Sequence, residues 1–326
     1  MKAKLLFVLK LVVMVLLFAV VARKIDGRKF YEVVRHAHVG YLALAAMTIW
    51  VGHITCMARW RILLDVFRIS LRYSRMLAIY SVAIFAGIFL PSTVGGDVLK
   101  FYLTGRETKR SYTMAFASVF MDRNLGLSIL VFLAFIFTLI QPVSLNGIPM
   151  LPLTASLTLG FLVVNFVLFY PGIHAWVSRL IARRLPTVVH RLDVLSDAFV
   201  SLYRSKGAWH YLMIFSILNH FSSVVVAWLI ALSLGVHIPF IYFLVFVPIM
   251  NLVATIPLTP MGIGLREGTL LGLFKSVIHL PDEKGLAIGS LLSVLMVLTS
   301  LPGGIFYLTF KRQGEMEGIS EATTAV

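Results

Sequence analysis

Charge is scarce in this chain of 326 residues. Only 13% are Asp, Glu, Lys or Arg, against 59% hydrophobic, and the mean hydropathy is +0.93. Soluble domains carry about a quarter charged residues, so a soluble fold of this size would lack the side chains to cover its surface. Acid is scarcer still: 14 Asp and Glu stand against 29 Lys and Arg, a net charge of +15. The single cysteine, Cys56, excludes an internal disulfide and any multi-cysteine metal site. HExxH, Walker A and G-x-S-x-G patterns are missing. Hydrolytic or ATP-driven chemistry therefore has no visible machinery, and no metal or cofactor is expected. The alternation of a membrane β-barrel, in segments of about ten residues, is missing as well.

What the chain has is apolar runs, at about 5–22, 39–57, 76–90, 113–140, 149–171, 209–234, 239–258 and 285–310. A bilayer core of roughly 30 Å requires about 20 such residues per helical crossing. The expected fold is all-α, a polytopic integral membrane protein. The N-terminal MKAKLLFVLKLVVMVLLFAVVARK has the basic start and apolar core of a signal peptide. No small-x-small cleavage site precedes Arg23 and Lys24, so it reads as a retained first span.

Loop charge orients the spans. The connections 141–148 (QPVSLNGI) and 234–239 (LGVHIP) hold no Lys or Arg, whereas 58–75 and 172–208 are rich in Arg. The positive-inside rule assigns 58–75, 97–112, 172–208 and the C-terminus to the cytoplasm. Such clusters also suit anionic lipid headgroups rather than nucleic acid. One cluster resists: 23–35 holds Arg23, Lys24, Arg28, Lys29 and Arg35, yet the span count puts it outside. Within 58–75, Leu63, Leu64, Phe67 and Leu71 recur opposite the arginines, which predicts an amphipathic helix at the cytoplasmic interface. The stretch 179–204 is a second such candidate, and 313–326 reads as a disordered cytoplasmic tail.

Two runs break their own helices. FLPSTVGGDVLK (89–100) and IPLTPMGIGLREG (256–268) both place Pro and Gly inside apolar sequence. Each break lets the chain return, as a re-entrant hairpin or as short paired helices, with turns at Pro91, Gly95 and Gly96 and at Pro257, Gly262 and Gly264. Irregular backbone at membrane depth is tolerated only against protein or a wet cavity. The resulting order is about six full spans plus two broken segments, in half-repeats of about 1–145 and 146–312 within one domain, 1–312. The halves run in opposite orientation, the pattern of an inverted repeat whose paired breaks point to a transport site.

The charges near the breaks are the candidate site. Asp97 opens a helix after the first turn, where it either caps that helix or meets substrate, and Lys100 follows one turn later. Arg266, beside Gly264, could fork onto a phosphate, with Glu267 a cap or a counterion. Asp122 and Arg123 lie inside an apolar run, where ionisable residues face a bundle interior or a wet cavity. Lys100 or Arg266 are the expected partners of Asp122, and Asp97 or Glu267 those of Arg123. Asn219, His220 and Asn251 are secondary candidates, equally readable as helix-to-helix glue.

PSTVGGDVLK, SVFMDRNLGL and PMGIGLREG, in that order, resemble the flippase-like membrane domain of the lysylphosphatidylglycerol synthases and its stand-alone relatives. The resemblance spans nearly the whole chain. Its motifs map to Pro91, Gly95, Gly96, Asp97 and Lys100; to Asp122 and Arg123; and to Gly262, Gly264, Arg266 and Glu267. Lys100 stands where arginine is common, and Met261 where a glycine is expected. The resemblance implies movement of an anionic phospholipid or polyprenyl-phosphate lipid between leaflets of the cytoplasmic membrane. An aminoacyl transferase domain is not implied. The alternatives are an integral-membrane transferase on lipid-linked sugars or amino acids, with Asp97 or Asp122 as carboxylate, or an accessory subunit of a membrane glycosyltransferase. The partners expected are membrane lipids and a glycosyltransferase or lipid-synthesis enzyme.

Overall fold

The computed structural model of the chain describes residues 27–89, 95–108, 112–170, 199–203 and 207–308, with scattered positions between 170 and 207. The expected span 5–22, the turn residue Pro91, most of 179–204 and the tail 313–326 lie outside the described residues. Ten helices and one small hairpin make up the rest: α1 (Gly27–Arg35), α2 (Val39–Val66), α3 (Tyr73–Phe89), α4 (Gly95–Thr108), α5 (Tyr112–Ile140), β1 (Ser144–Leu145), β2 (Ile148–Pro149), α6 (Met150–Phe169), α7 (Ala208–Ser233), α8 (Phe240–Ala254), α9 (Leu265–Ile278) and α10 (Asp282–Ser300). The protein is an all-α polytopic membrane protein. Among the described residues, five helices are long and apolar enough to cross a membrane: α2, α5, α6, α7 and α10, the last continuing to Leu308.

The two breaks form hairpins. At about 1.5 Å per residue, the 17 residues of α3 reach about 25 Å and the 14 of α4 about 21 Å, short of a bilayer core. Arg75 near the start of α3 meets Glu107 near the end of α4 at 3.1 Å, so the open ends of the pair lie together. At the turn, Gly96 lies so close to α3 that a Cβ there would stand 2.3 Å from the Ala83 carbonyl oxygen. The helices α8 and α9 repeat the design. Phe243 and Phe274 meet at 5.8 Å toward the open end, and Gly262 packs on Ala254 near the turn. The turn is built from left-handed backbone: Met261, Gly262 and Gly264 have φ of 51°, 73° and 88°. Pro257 sits exposed at its beginning. The glycines adopt this conformation freely. Met261 does so at a cost.

The helices α2 and α7 are antiparallel and in close contact. The His38 N–H donates to the Ser233 carbonyl, Gly52 faces Ser222, and Arg59 reaches Ser216. The first hairpin follows the C-terminal end of α2 and the second follows the C-terminal end of α7, so they enter from opposite ends of the bundle. Two apolar cores sit along this pair. One gathers Phe243, Phe246 and Phe274 of the second hairpin with Ile230 of α7; the other gathers Met76 and Ile79 of the first hairpin with Trp60, Leu63 and Leu212.

One expectation changes. No separate interfacial helix covers 58–75: α2 continues unbroken to Val66, and only residues 67–72 link it to α3. Leu63, Leu64, Phe67 and Leu71 are buried as their spacing predicted, but against the protein core. Arg59 is buried with them, at 5% exposure.

Candidate functional site

Between the hairpin tips lies a cavity of about 410 Å³. The first hairpin contributes Gly96, Asp97 and Lys100; the second contributes Met261 and Arg266. The middle turns of α2, α5 and α7 complete it with Arg59, Asp122, Arg123, Asn219 and His220. Nine of the described candidate residues from the sequence line this one space, and the turn residues Gly95, Pro257, Gly262 and Gly264 do not. The candidate Glu267 is displaced from it, behind Arg266.

Asp122 is the anchor of one wall. Its Oδ1 accepts from Arg59 Nε at 2.7 Å and its Oδ2 from Lys100 Nζ at 3.0 Å. Arg59 also donates to Ser216 at 3.1 Å, and Lys100 lies 4.1 Å from the centre of the Trp60 ring. Gly126, one turn beyond Asp122, makes room: a Cβ there would stand 3.2 Å from Arg59 Nη1. The Gly126 carbonyl is bonded to His220 Nε2 at 2.9 Å. Three helices are thereby tied at one point by groups that would be costly to bury singly.

Arg123 lies 100° further round α5 and turns to Asp97, 3.4 Å away. This is an ion pair without the alignment of a hydrogen bond, and both side chains keep partial exposure to the cavity. Asp97 opens α4, where the helix dipole favours a carboxylate.

Arg266 on the opposite tip has neutral partners. Its Nε donates to the Met261 carbonyl at 3.1 Å and its Nη1 to Asn251 Oδ1 at 2.8 Å; Asn251 in turn donates to Ser223 at 3.1 Å. The strained Met261 thus presents its carbonyl to the guanidinium. Glu267 does not pair with Arg266. One oxygen accepts from the Gly264 N–H at 2.6 Å, and the other accepts from the Ser293 hydroxyl. Its role is the helix cap weighed from the sequence.

Of the pairings expected from the sequence, Asp122 with Lys100 and Arg123 with Asp97 are the ones formed. Arg59 is the residue the sequence reading missed. It sits in a basic cluster whose spacing predicts arginines on the solvent side of an interfacial helix. The available signal was the absence of Pro or Gly between Met57 and Val66, which leaves the helix no reason to stop. His53, on the same cavity, leaves its Nε2 without a hydrogen-bond partner.

Residues 7–303 match the family model described as the lysylphosphatidylglycerol synthase TM region. A "UPF0104 membrane protein" of Methanothermobacter thermautotrophicus is 26% identical over 253 residues, covering 66% of this chain and 68% of that protein. With the family model spanning both hairpins and every cavity-lining charge, the chain belongs to the lysylphosphatidylglycerol synthase transmembrane-region family.

Proposed function

We propose that the protein is a lipid translocator, moving an anionic lipid between leaflets of the cytoplasmic membrane. The observation that carries this reading is a cavity near the midpoints of the spans, lined by four cations, Arg59, Lys100, Arg123 and Arg266, against two carboxylates, Asp97 and Asp122. An anionic headgroup supplies what such a cavity lacks, while its chains remain in the surrounding apolar phase. The reading is non-enzymatic. Asp122 gives both oxygens to cations and is poorly disposed to act as a base.

An inverted repeat fits the same reading. The order span, hairpin, span recurs as α2, α3–α4, α5 and as α7, α8–α9, α10. The third residue of each returning arm is acidic, Asp97 in α4 and Glu267 in α9. Each contacts the twelfth residue of the next span, Arg123 in α5 and Ser293 in α10. The halves are thus matched in position and unmatched in charge. The C-terminal end of α10 lies on the proposed cytoplasmic side.

The test is a lipid-flip measurement with purified protein in liposomes, following fluorescent phosphatidylglycerol. Arg123→Ala should abolish the protein-dependent flip while the variant still unfolds at the wild-type temperature. A flip rate unchanged from wild type would overturn the reading. Product formation by the purified protein from a lipid-linked sugar donor would replace it with a transferase.

A further inference from the structure

We infer that a hydrocarbon chain of the lipid leaves the headgroup cavity through a narrow apolar cleft between α2, α3 and α10; this rests on the translocator reading and deepens it. The cleft, of about 50 Å³, lies beside the large cavity and shares His53, Tyr80 and Ile84 with it. α10 packs on both α2 and α3 and closes the far side. Trp50, Ile54 and Leu77 line the cleft and are exposed on the flank of the bundle. Trp50 and Ile54 belong to the middle turns of a spanning helix, so that flank faces hydrocarbon.

An amphiphile sets a problem that a headgroup cavity alone does not solve. Its phosphate favours the cations around Asp122, whereas its chains gain nothing from charged walls and belong in an apolar phase. Some part of the wall has to let a chain pass, and the three shared side chains are such a place. The Tyr80 ring lies 5.3 Å from Lys100 Nζ and meets the His53 ring at 6.2 Å, edge to face. Lys100 itself is bonded to Asp122. One aromatic layer therefore separates the Asp122 cluster from the cleft. His53 Nε2 is buried there without a hydrogen-bond partner, an unmet polar contact at the boundary where a lipid changes from headgroup to chain.

The rest of the cleft suits a chain and not a second headgroup. Among the described residues that line it, none is Asp, Glu, Lys or Arg. Thr299, Ser300 and Gly303 form its floor. Thr299 Oγ1 donates to the Leu295 carbonyl at 2.8 Å and Ser300 Oγ to the Val297 carbonyl at 2.6 Å, so both hydroxyls are turned back to their own helix. Gly303 adds no side chain. Set against the 410 Å³ of the cavity, the space has room for one chain and none for a headgroup.

The test closes the cleft after the protein has folded. Ile54→Cys and Leu77→Cys, each as the single cysteine in a Cys56→Ala background, are alkylated in detergent with N-benzylmaleimide and then reconstituted in liposomes. Leu157→Cys, exposed on α6 away from the cleft, receives the same treatment. Each sample is compared with its own unalkylated half in the flip of fluorescent phosphatidylglycerol. Alkylation at 54 or 77 should slow the flip about tenfold or more, and alkylation at 157 should leave it within about twofold. Ile54→Trp with Cys56 retained narrows the same mouth without chemistry and should slow the flip likewise.

Glycerophosphoglycerol, the chainless headgroup of the same lipid, separates chain from headgroup. Its binding should be unchanged by alkylation at all three positions, because the cleft carries no part of the headgroup. Loss of that binding on alkylation at 54 or 77 would make the cleft part of the headgroup site and overturn the inference. Flip at the unalkylated rate in both cleft-labelled proteins, and at the wild-type rate in Ile54→Trp, would also overturn it while leaving the translocator standing. No flip by the unalkylated wild-type protein would overturn both.

Discussion

Asp122 shows how few atoms hold the centre of this protein. Two cations from different helices converge on its two oxygens, 10% exposed, inside an apolar span. Removing one member of such a buried cluster leaves the others charged and unpaired, a cost of about 3–5 kcal/mol. Asp122→Ala should therefore lower stability by about that amount in chemical denaturation of the purified protein. The contrast is Asp65→Ala, which breaks an exposed pair with Arg61 and should cost no more than about 1 kcal/mol. Equal losses in the two variants would mean that Asp122 is not the anchor its geometry describes. The sequence made Asp122 conspicuous, because a charge inside an apolar run has few bland explanations. It hid Arg59, because an arginine at the edge of a run has many. Which of several basic residues folds inward depends on helix phase and on Gly126 opposite, and neither is visible without the packing.

At the scale of elements, the hairpins were legible because their breaks are chemical. Pro and Gly inside apolar sequence cannot continue a helix comfortably, and irregular backbone at depth must be sheltered. What was not legible is the closeness of the arms. Gly96 admits no side chain, because a Cβ would stand 2.3 Å from the Ala83 carbonyl oxygen. Gly268, on α9, faces open space. Gly96→Ala should open the first hairpin and lower the thermal midpoint. Gly268→Ala should raise stability by about 0.5–1 kcal/mol, the ordinary gain of alanine over glycine in a helix. A Gly96→Ala protein as stable as Gly268→Ala would rule out the tight turn. The glycine expected at position 261 from the family pattern is Met261, and the chain adopts left-handed backbone there regardless. The shape of that turn thus follows from its neighbours rather than from the residue itself.

For the whole molecule, the pairing of α2 with α7 fixes which connections share a side. Ser70 lies at one end of the bundle; Ser144 lies at the other, and α1, packed on α10, leads into the start of α2 at that same end. The described part of that basic cluster, 27–35 with Arg28, Lys29 and Arg35, thereby stands opposite the cluster at 61–75, against the loop-charge rule. Single cysteines in a Cys56→Ala background make this measurable. Ser70→Cys should react with a membrane-impermeant maleimide from the cytoplasmic side, and Ser144→Cys and Arg28→Cys from the other. Labelling of Arg28→Cys and Ser70→Cys from one side would break the assignment. Span order and opposite hairpins could be read from runs, breaks and loop charge, since each has a local cause. The two separate apolar cores could not, because they arise from contacts between residues more than a hundred positions apart.

The end of α10 leans on the beginning of the molecule. Gly303 lies against α3 so closely that a Cβ there would stand 2.1 Å from the Ser81 carbonyl oxygen and 2.8 Å from Phe85 Cβ. The outer flank of the first hairpin is therefore completed by almost the last helical turn described. A ribosome making this chain releases Asp97, Lys100 and Asp122 long before it releases Gly303. Throughout that interval the first hairpin must be sheltered by the insertion machinery or by its own partial pairing. The last turns described act, in the order of synthesis, as the keystone set after the arch.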